Sequence, residues 1–381
     1  MTTENGATSA IASFRLQARR WLETHVPAEP MPEDGHAQRE YVLAWQKTQA
    51  SGGWAGIAWP KEVGGRGLSV LEQIAWFEEY ARAGAPSPLN PTFTALNHAG
   101  PTLIACGTPE QKSFHLPRIL AGDVIWCQGF SEPGAGSDLA SLRTRGRIEG
   151  DELVIDGHKI WSSFADIAEY QEMLIRTDPT AKTSAALSWI ICPMDAPGIT
   201  VRPIRTMAGP RKYCEVFYDA VRVPLSNVVG GVNNGWATAM STLSFERGTA
   251  GLALLIGLTI KVEKLLADCP ADRWEMRMRL ARLRAEGASI RAMTYRFALD
   301  SEHAVPDASG SMIRLGFAEF AQRVTAAAID LYGIDAPGVV GMHGWGHDYL
   351  DAFSETIAGG TAEIQRNIIA ERVLGLPKGP R

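Results

Sequence analysis

Most of what this sequence lacks removes a class of function. No apolar run is long enough to cross a bilayer. The longest, near Gly251–Ile260, falls well short of the roughly 20 residues that a spanning helix needs. There is no excess of positive charge: 37 Lys and Arg against 42 Asp and Glu leave −5 at neutral pH, with a pI near 6.0. That balance gives no case for nucleic acid or an anionic membrane as a partner. Cysteine is scarce. Cys106, Cys127, Cys192, Cys214 and Cys269 are scattered, odd in number and without metal-ligand spacing. They read as reduced thiols in a cytoplasmic setting. Met1–Asn5 show no basic region leading into an apolar one, so no signal peptide is expected. There is no internal repeat, no low-complexity tract, no Ser-His-Asp elbow and no P-loop. His343 and His347 are four apart, a ligand spacing only on a helix. Gly341, Gly344 and Gly346 around them predict a loop, so no metal site is expected.

What is present is an ordinary globular composition, 45% hydrophobic with a mean hydropathy of −0.07, over 381 residues. That length can bury more than one core, and two or three domains are expected. Residues 11–26 carry an amphipathic pattern, with Ile11, Phe14, Ala18, Trp21 and Leu22 near one face. A second helix is predicted over Arg39–Ser51, and a glycine-rich connection over Gly52–Leu68. Ser69 is placed to cap a third helix. From Gly122 the texture changes to short alternating runs such as Glu152–Ile155, Leu187–Ile191 and Glu215–Tyr218, with Glu149-Gly150-Asp151 as a hairpin turn. Helical periodicity returns at Asn234 and runs through Leu265. Further helices are predicted over Arg273–Ala298, Ser311–Tyr332 and 361–374, the last capped by Thr361. The expected architecture is an N-terminal helical domain (1–122), a central β-barrel or sandwich (123–232) and a C-terminal helical bundle (233–381).

The chain is organised around one stretch, Trp126-Cys127-Gln128-Gly129-Phe130-Ser131-Glu132-Pro133-Gly134-Ala135-Gly136-Ser137-Asp138. It begins extended and breaks at Pro133. Gly134, Ala135 and Gly136 let backbone N–H groups approach a ligand closely, and Ser131 and Ser137 add hydroxyls. The pattern suits a flat, polar cofactor with a phosphate tail.

This stretch resembles the flavin-contact motif of the acyl-CoA dehydrogenases. Gly64–Ser69, Gly107–Lys112, Gly157–Ser163 and Gly359–Asn367 resemble further family elements in the same order. The resemblance covers almost the whole chain. It implies FAD, an acyl-CoA substrate, an electron-transfer flavoprotein as electron acceptor, and a homodimer or tetramer built on the C-terminal helices. Desaturating a thioester beside its carbonyl needs a base for the α-proton, an acceptor for the β-hydride and donors that polarise the carbonyl. No side chain accepts hydride, so a cofactor must; in the family this is flavin N5. By resemblance, Ser131 and Ser163 match hydroxyls at the flavin ring and Trp161 its aromatic neighbour. Gln128 and Phe130 match backbone contacts to its edge, Thr361 a further flavin contact, and Ser137 a group reaching phosphates of cofactor or substrate. Read without the family, Trp126 and Trp161 are core residues, the serines belong to turns, and Thr361 is a cap.

Many members place a glutamate base directly before a Gly-Thr pair; here that position is Gly359, which has no side chain. A subset, including isovaleryl- and long-chain-type enzymes, carries the glutamate on the first long helix after the β domain, directly before an arginine. Glu246, in Leu243-Ser244-Phe245-Glu246-Arg247, matches it and is the candidate base. Arg247 falls on the apolar stripe and Glu246 one step round from it. A carboxylate there has its pKa raised towards neutrality by desolvation, as a general base needs. A helix-surface Glu-Arg pair is the plainer alternative. Arg247 resembles a substrate anchor near the CoA arm, and Gly359 retains the N–H that binds the thioester oxygen. Two elements depart from the family. The Arg-x-x-Phe-Gly segment is absent. The Gln-x-x-Gly-Gly segment reads Asp330-Leu331-Tyr332-Gly333-Ile334. These raise two alternatives: a subunit of a hetero-oligomer that shares or lacks FAD, and a flavin monooxygenase on the same scaffold.

Overall fold

The structure is a computed structural model that describes residues 2–32, 34–181, 183–246, 249–301, 309–333 and 344–379. The first third is helical: α1 (Thr2–His25), α2 (Gly35–Ser51), α3 (Val70–Arg82), α4 (Gly100–Cys106) and α5 (Pro109–Ala121), with a π-helical turn at Ala95–Ala99 leading into α4. Ser69 and Glu72 close a reciprocal capping box at the start of α3, and Thr108 and Gln111 do the same for α5. Each satisfies N–H and hydroxyl groups that the first turn would otherwise leave open.

Eight strands follow: β1 (Trp126–Gly129), β2 (Arg145–Glu149), β3 (Glu152–Ser163), β4 (Tyr170–Arg176), β5 (Leu187–Pro193), β6 (Ile199–Thr206), β7 (Gly209–Pro224) and β8 (Val228–Val229). They form one sheet in the order β6-β7-β3-β2-β4-β5-β8, with β1 parallel to β4. The path ends at β6 and β8, so the sheet is open. It curls enough for Met173, Ile175, Ile190 and Cys192 of β4 and β5 to share a core with Ile155, Val216, Val221 and Val223 of β3 and β7. Its other face, with Trp126, Leu174, Trp189 and Ile191, packs on Leu103 of α4 and on Leu116 and Ile119 of α5. Glu149 pairs with Glu152 across a Gly150-Asp151 turn, Gly150 having φ 66°.

The last third is helical again: α6 (Gly235–Glu246), α7 (Gly251–Asp268), α8 (Trp274–Ser301), α9 (Ser309–Tyr332), α10 (Trp345–Glu355) and α11 (Ala362–Ile368), with a π turn to Val373. The periodic run read as one helix from Asn234 is therefore two, α6 ending at Glu246. The loop predicted around His347 is instead the first turn of α10, with Gly344 as its N-cap; His343 lies outside the described residues. The helices share one core, in which Leu22, Trp45, Trp54 and Trp76 meet Leu255, Val262, Leu280, Phe320 and Val324. The buried carboxylates of Glu78 and Glu79 on α3 bind Arg15 and Arg19 of α1, and Glu78 also binds Arg291 of α8. The N-terminal helices are thereby fastened to the C-terminal ones. Among the described residues no helix is long and apolar enough to cross a membrane.

Candidate active site

The stretch from Trp126 to Asp138 is set by one buried ion pair. Lys159 of β3 is wholly buried. Its ammonium donates to the Phe130 carbonyl at 3.0 Å and to Glu132 Oε1 at 2.9 Å. The Glu132 carboxylate also accepts from the backbone N–H of Arg143 at 2.6 Å and of Thr144 at 2.8 Å. Burial pushes the Lys159 ammonium down to about 8 despite its carboxylate neighbour. Glu132 is held below its usual value. Burial raises it, but Lys159 and the hydrogen bonds it accepts outweigh that. Residues 132 and 135 exchange both backbone hydrogen bonds, at 2.9 and 3.0 Å, around a Pro133-Gly134 turn. The buried Ala135 anchors this turn in the core, and Gly134, Gly136 and Ser137 are exposed. A Cβ at Gly134 or Gly136 would meet nothing within 4 Å, whereas at Gly129 it would strike the Gln171 side chain at 2.5 Å.

Ser131 and the end of β3 lie side by side, because the Ile160 N–H donates to the Ser131 carbonyl at 3.0 Å. Between Lys159 and Ser162 the β3–β7 register slips by one residue. In that bulge Trp161 adopts φ 62°, a left-handed backbone that costs a non-glycine residue about 1–3 kcal/mol. Its ring is 54% exposed, which excludes the core role that a tryptophan in a strand suggests. It meets Tyr213 edge-on at 5.8 Å. Ser162 is pinned behind it by Gln171, which also binds Tyr218. Ser163 is half-buried, paired with Tyr213. An exposed indole on strained backbone, flanked by two half-buried hydroxyls and an open glycine loop, fits the aromatic ring and pyrophosphate of FAD.

A bridge leads from this edge to the C-terminal helices. Lys212, next to Tyr213, reaches Asp351 of α10 at 3.6 Å. Asp351 lines a cavity of about 390 Å³ between α3, α7, α9 and α10. Leu254, Leu258 and Phe317 form apolar walls, and Lys261, Asp348 and Glu355 are among its polar groups. Lys261 pairs with Asp348. Arg314 of α9 closes the end of α10, donating to the Glu355 carboxylate at 2.9 Å and to the carbonyls of Glu355 and Ala358 at 2.6 and 3.0 Å. Beyond it, Gly359 is exposed with φ 63°. The Gln365 amide donates to its carbonyl at 2.9 Å. Thr361 caps α11, accepting from the Ile364 N–H at 3.3 Å.

Direct contacts thus gather Phe130, Ser131, Trp161 and Ser163. Gly359 and Thr361 form a second group, on the α10–α11 connection. The Gln128 side chain turns inward and donates to Glu172 at 2.8 Å. Glu246 is the last residue of α6; Arg247 lies outside the described residues. The sequence reading missed Lys159 and Glu132. Their signal was a lysine flanked by β-sequence three residues before Ser162, at a position that alternation turns inward. Arg273, just before α8, donates to the carbonyls of Asp330 and Leu331, and Arg277 of α8 to that of Cys269.

Three family models match in order: acyl-CoA dehydrogenase N-terminal domain over residues 8–123, middle domain over 127–221 and C-terminal domain over 233–374. The chain is 40% identical to acyl-CoA dehydrogenase IpdE1 of Mycobacterium tuberculosis, over 97% of this chain and 98% of that one. Among solved structures it resembles the Tcur3481-Tcur3483 steroid ACAD, with 34% identity and a TM-score of 0.85, covering 97% of this chain and 98% of that one. It also resembles the ChsE4-ChsE5 complex from Mycobacterium tuberculosis, with 30% identity and a TM-score of 0.81 over 97% and 98%.

Proposed function

The chain belongs to the acyl-CoA dehydrogenase family of FAD-dependent oxidoreductases, and we propose that it desaturates the α,β-bond of an acyl-CoA with Glu246 as the base. One observation carries the reading. The apolar cavity is walled by α7, which opens just after Glu246, and by α10, which leads into Gly359. We seat the thioester between these two chain segments. The α-proton passes to the Glu246 carboxylate, while the Gly359 N–H steadies the negative charge that grows on the carbonyl oxygen. FAD, when bound, supplies the acceptor for the β-hydride. Trp161, Ser131 and Ser163 hold its ring, with Phe130, Gln128 and Thr361 at its edge. Ser137 and Arg247 serve the phosphates and the CoA arm. A positioned base is worth about 10²–10⁴-fold, so Glu246→Gln should lower anaerobic flavin reduction by acyl-CoA by that factor. Wild-type turnover in that variant would remove Glu246 from the role.

The acyl group we assign is bulky and ring-containing. The steroid ACAD named above supports it, as does a cavity with polar groups beyond its apolar walls. We further propose an oligomer, with a second, different chain favoured over a second copy. Two similar structures are named as pairs of gene products. Ile357, Leu374 and Trp274 in the C-terminal third are 67%, 64% and 67% exposed, apolar surface for a partner to cover. Purification of this chain alone as a yellow, active homo-oligomer would overturn the mixed assembly. An electron-transfer flavoprotein is the proposed electron acceptor. Five free cysteines, four of them buried, favour the cytoplasm.

A further inference from the structure

The peptide between Phe130 and Ser131 is engaged at one end only. Its carbonyl accepts from the Lys159 ammonium at 3.0 Å. Its N–H, on Ser131, meets no acceptor among the described residues. The next peptide is closed at both ends. The Ser131 carbonyl accepts from the Ile160 N–H at 3.0 Å, and the Glu132 N–H donates to the Ala135 carbonyl at 2.9 Å. The Phe130 side chain is buried in the apolar core, and Ser131 is half-buried. The open N–H is therefore fixed from both sides, by the core before it and by β3 after it.

Lys159 does more to this peptide than hold it. Carbonyl and amide share one resonance system. A cation on the oxygen draws electron density from the nitrogen and makes the N–H a stronger donor. The ammonium is charged at neutral pH, since burial takes it no lower than about 8. Its counter-charge is partly satisfied elsewhere: the Glu132 carboxylate also accepts from the N–H groups of Arg143 and Thr144, at 2.6 and 2.8 Å. Among the described residues of the sheet domain one other carboxylate is buried, Glu172 of β4. It accepts from Gln128 Nε2 at 2.8 Å and faces His98 Nδ1 at 3.2 Å. The group that polarises the Phe130 carbonyl is thus a cation.

We propose that Lys159 is a positioning residue that sets the reduction potential of the bound flavin, acting through the Phe130–Ser131 peptide. The proposal rests on FAD lying against Ser131. A hydride carries two electrons and one hydrogen nucleus, so the neutral oxidised ring that accepts it gains one negative charge. A strengthened donor at the ring's edge binds that anion more tightly than the neutral ring, and the potential rises. Without the cation the same N–H is an ordinary amide donor, and the potential falls.

The test is the flavin potential of Lys159→Met and of Lys159→Met with Glu132→Gln, measured against wild type by dye equilibration at neutral pH on protein freed of unbound flavin. Both variants should favour the oxidised ring about tenfold more than wild type does, a potential lower by about 30 mV for two electrons. The double variant leaves no buried charge unpaired, so part of its melting temperature should return while its potential stays low. A potential that returns with the melting temperature makes the effect one of folding and overturns the inference. An unmoved or raised potential in Lys159→Met overturns it too, as does loss of flavin from both variants. Flavin affinity of Ser131→Ala and Trp161→Gly separates the two readings. If both bind flavin as tightly as wild type, the flavin does not lie on this loop, and the site reading fails together with the inference. If they bind it more weakly while Lys159→Met keeps the wild-type potential, only the present inference has failed.

Discussion

Replacing Lys159 with methionine removes a charge at nearly constant volume, so no cavity confuses the result. The loss is electrostatic. Glu132 keeps its two backbone donors but loses its cation, and the Phe130 carbonyl loses its donor at 3.0 Å. Breaking one side of a buried pair costs about 3–5 kcal/mol, because the remaining charge stays desolvated. In a chain of this size that lowers the melting temperature by roughly 4–6 °C. The larger effect should be local, since the segment released is the one proposed to hold FAD. Purified Lys159→Met should therefore carry substoichiometric flavin, read as the ratio of visible to ultraviolet absorbance. Lys159→Met with Glu132→Gln should recover part of the stability, since no charge is then left unpaired. The acid side follows from Glu132. Its folded value lies below its unfolded one, so its contribution is present above about 4.5 and is lost as pH falls through the lower value. Without Lys159 that loss begins at higher pH, and flavin release on acidification should follow it. If Lys159→Met melts with the wild type and retains full flavin, the ion pair does not set the loop.

Trp161→Gly relieves a left-handed backbone, so the flavin-free protein should melt no lower than wild type while flavin affinity falls; equal affinity by titration would remove Trp161 from the site. Arg314→Leu frees the end of α10 and should loosen the Gly359 connection, lowering the flavin-reduction rate more than flavin content. His115 is pushed down to about 4, first by burial and then by Arg118, from an ordinary 6.5. Between those values the unfolded chain binds a proton that the folded one refuses, so stability rises with pH across that window. His115→Phe should flatten that part of the stability–pH curve measured by denaturant unfolding, and an unchanged slope would show that His115 does not titrate there.

The sequence disclosed elements that carry local signals. Ser69 is three residues before Glu72, and the box forms; Gly150 sits between alternating runs, and the hairpin turns there. Trp161 was legible only by resemblance, because a strand tryptophan reads as core until a one-residue slip against β7 turns it outward. The break after Glu246 was hidden by apolar spacing that continues unbroken into α7. His98, Glu172 and Gln128 could not be joined from the sequence, since 74 residues separate the first two and only the β1–β4 pairing brings the third to them.

The glycines of the cofactor loop fall into two kinds. At Gly129 the protein's own atoms forbid a side chain. At Gly134 and Gly136 they do not: a Cβ there would meet nothing within 4 Å, and neither backbone is left-handed. Alanine at either position should leave the empty chain undisturbed and be felt only when the nucleotide arrives. These two positions thus answer to a bound molecule and not to the chain's own packing.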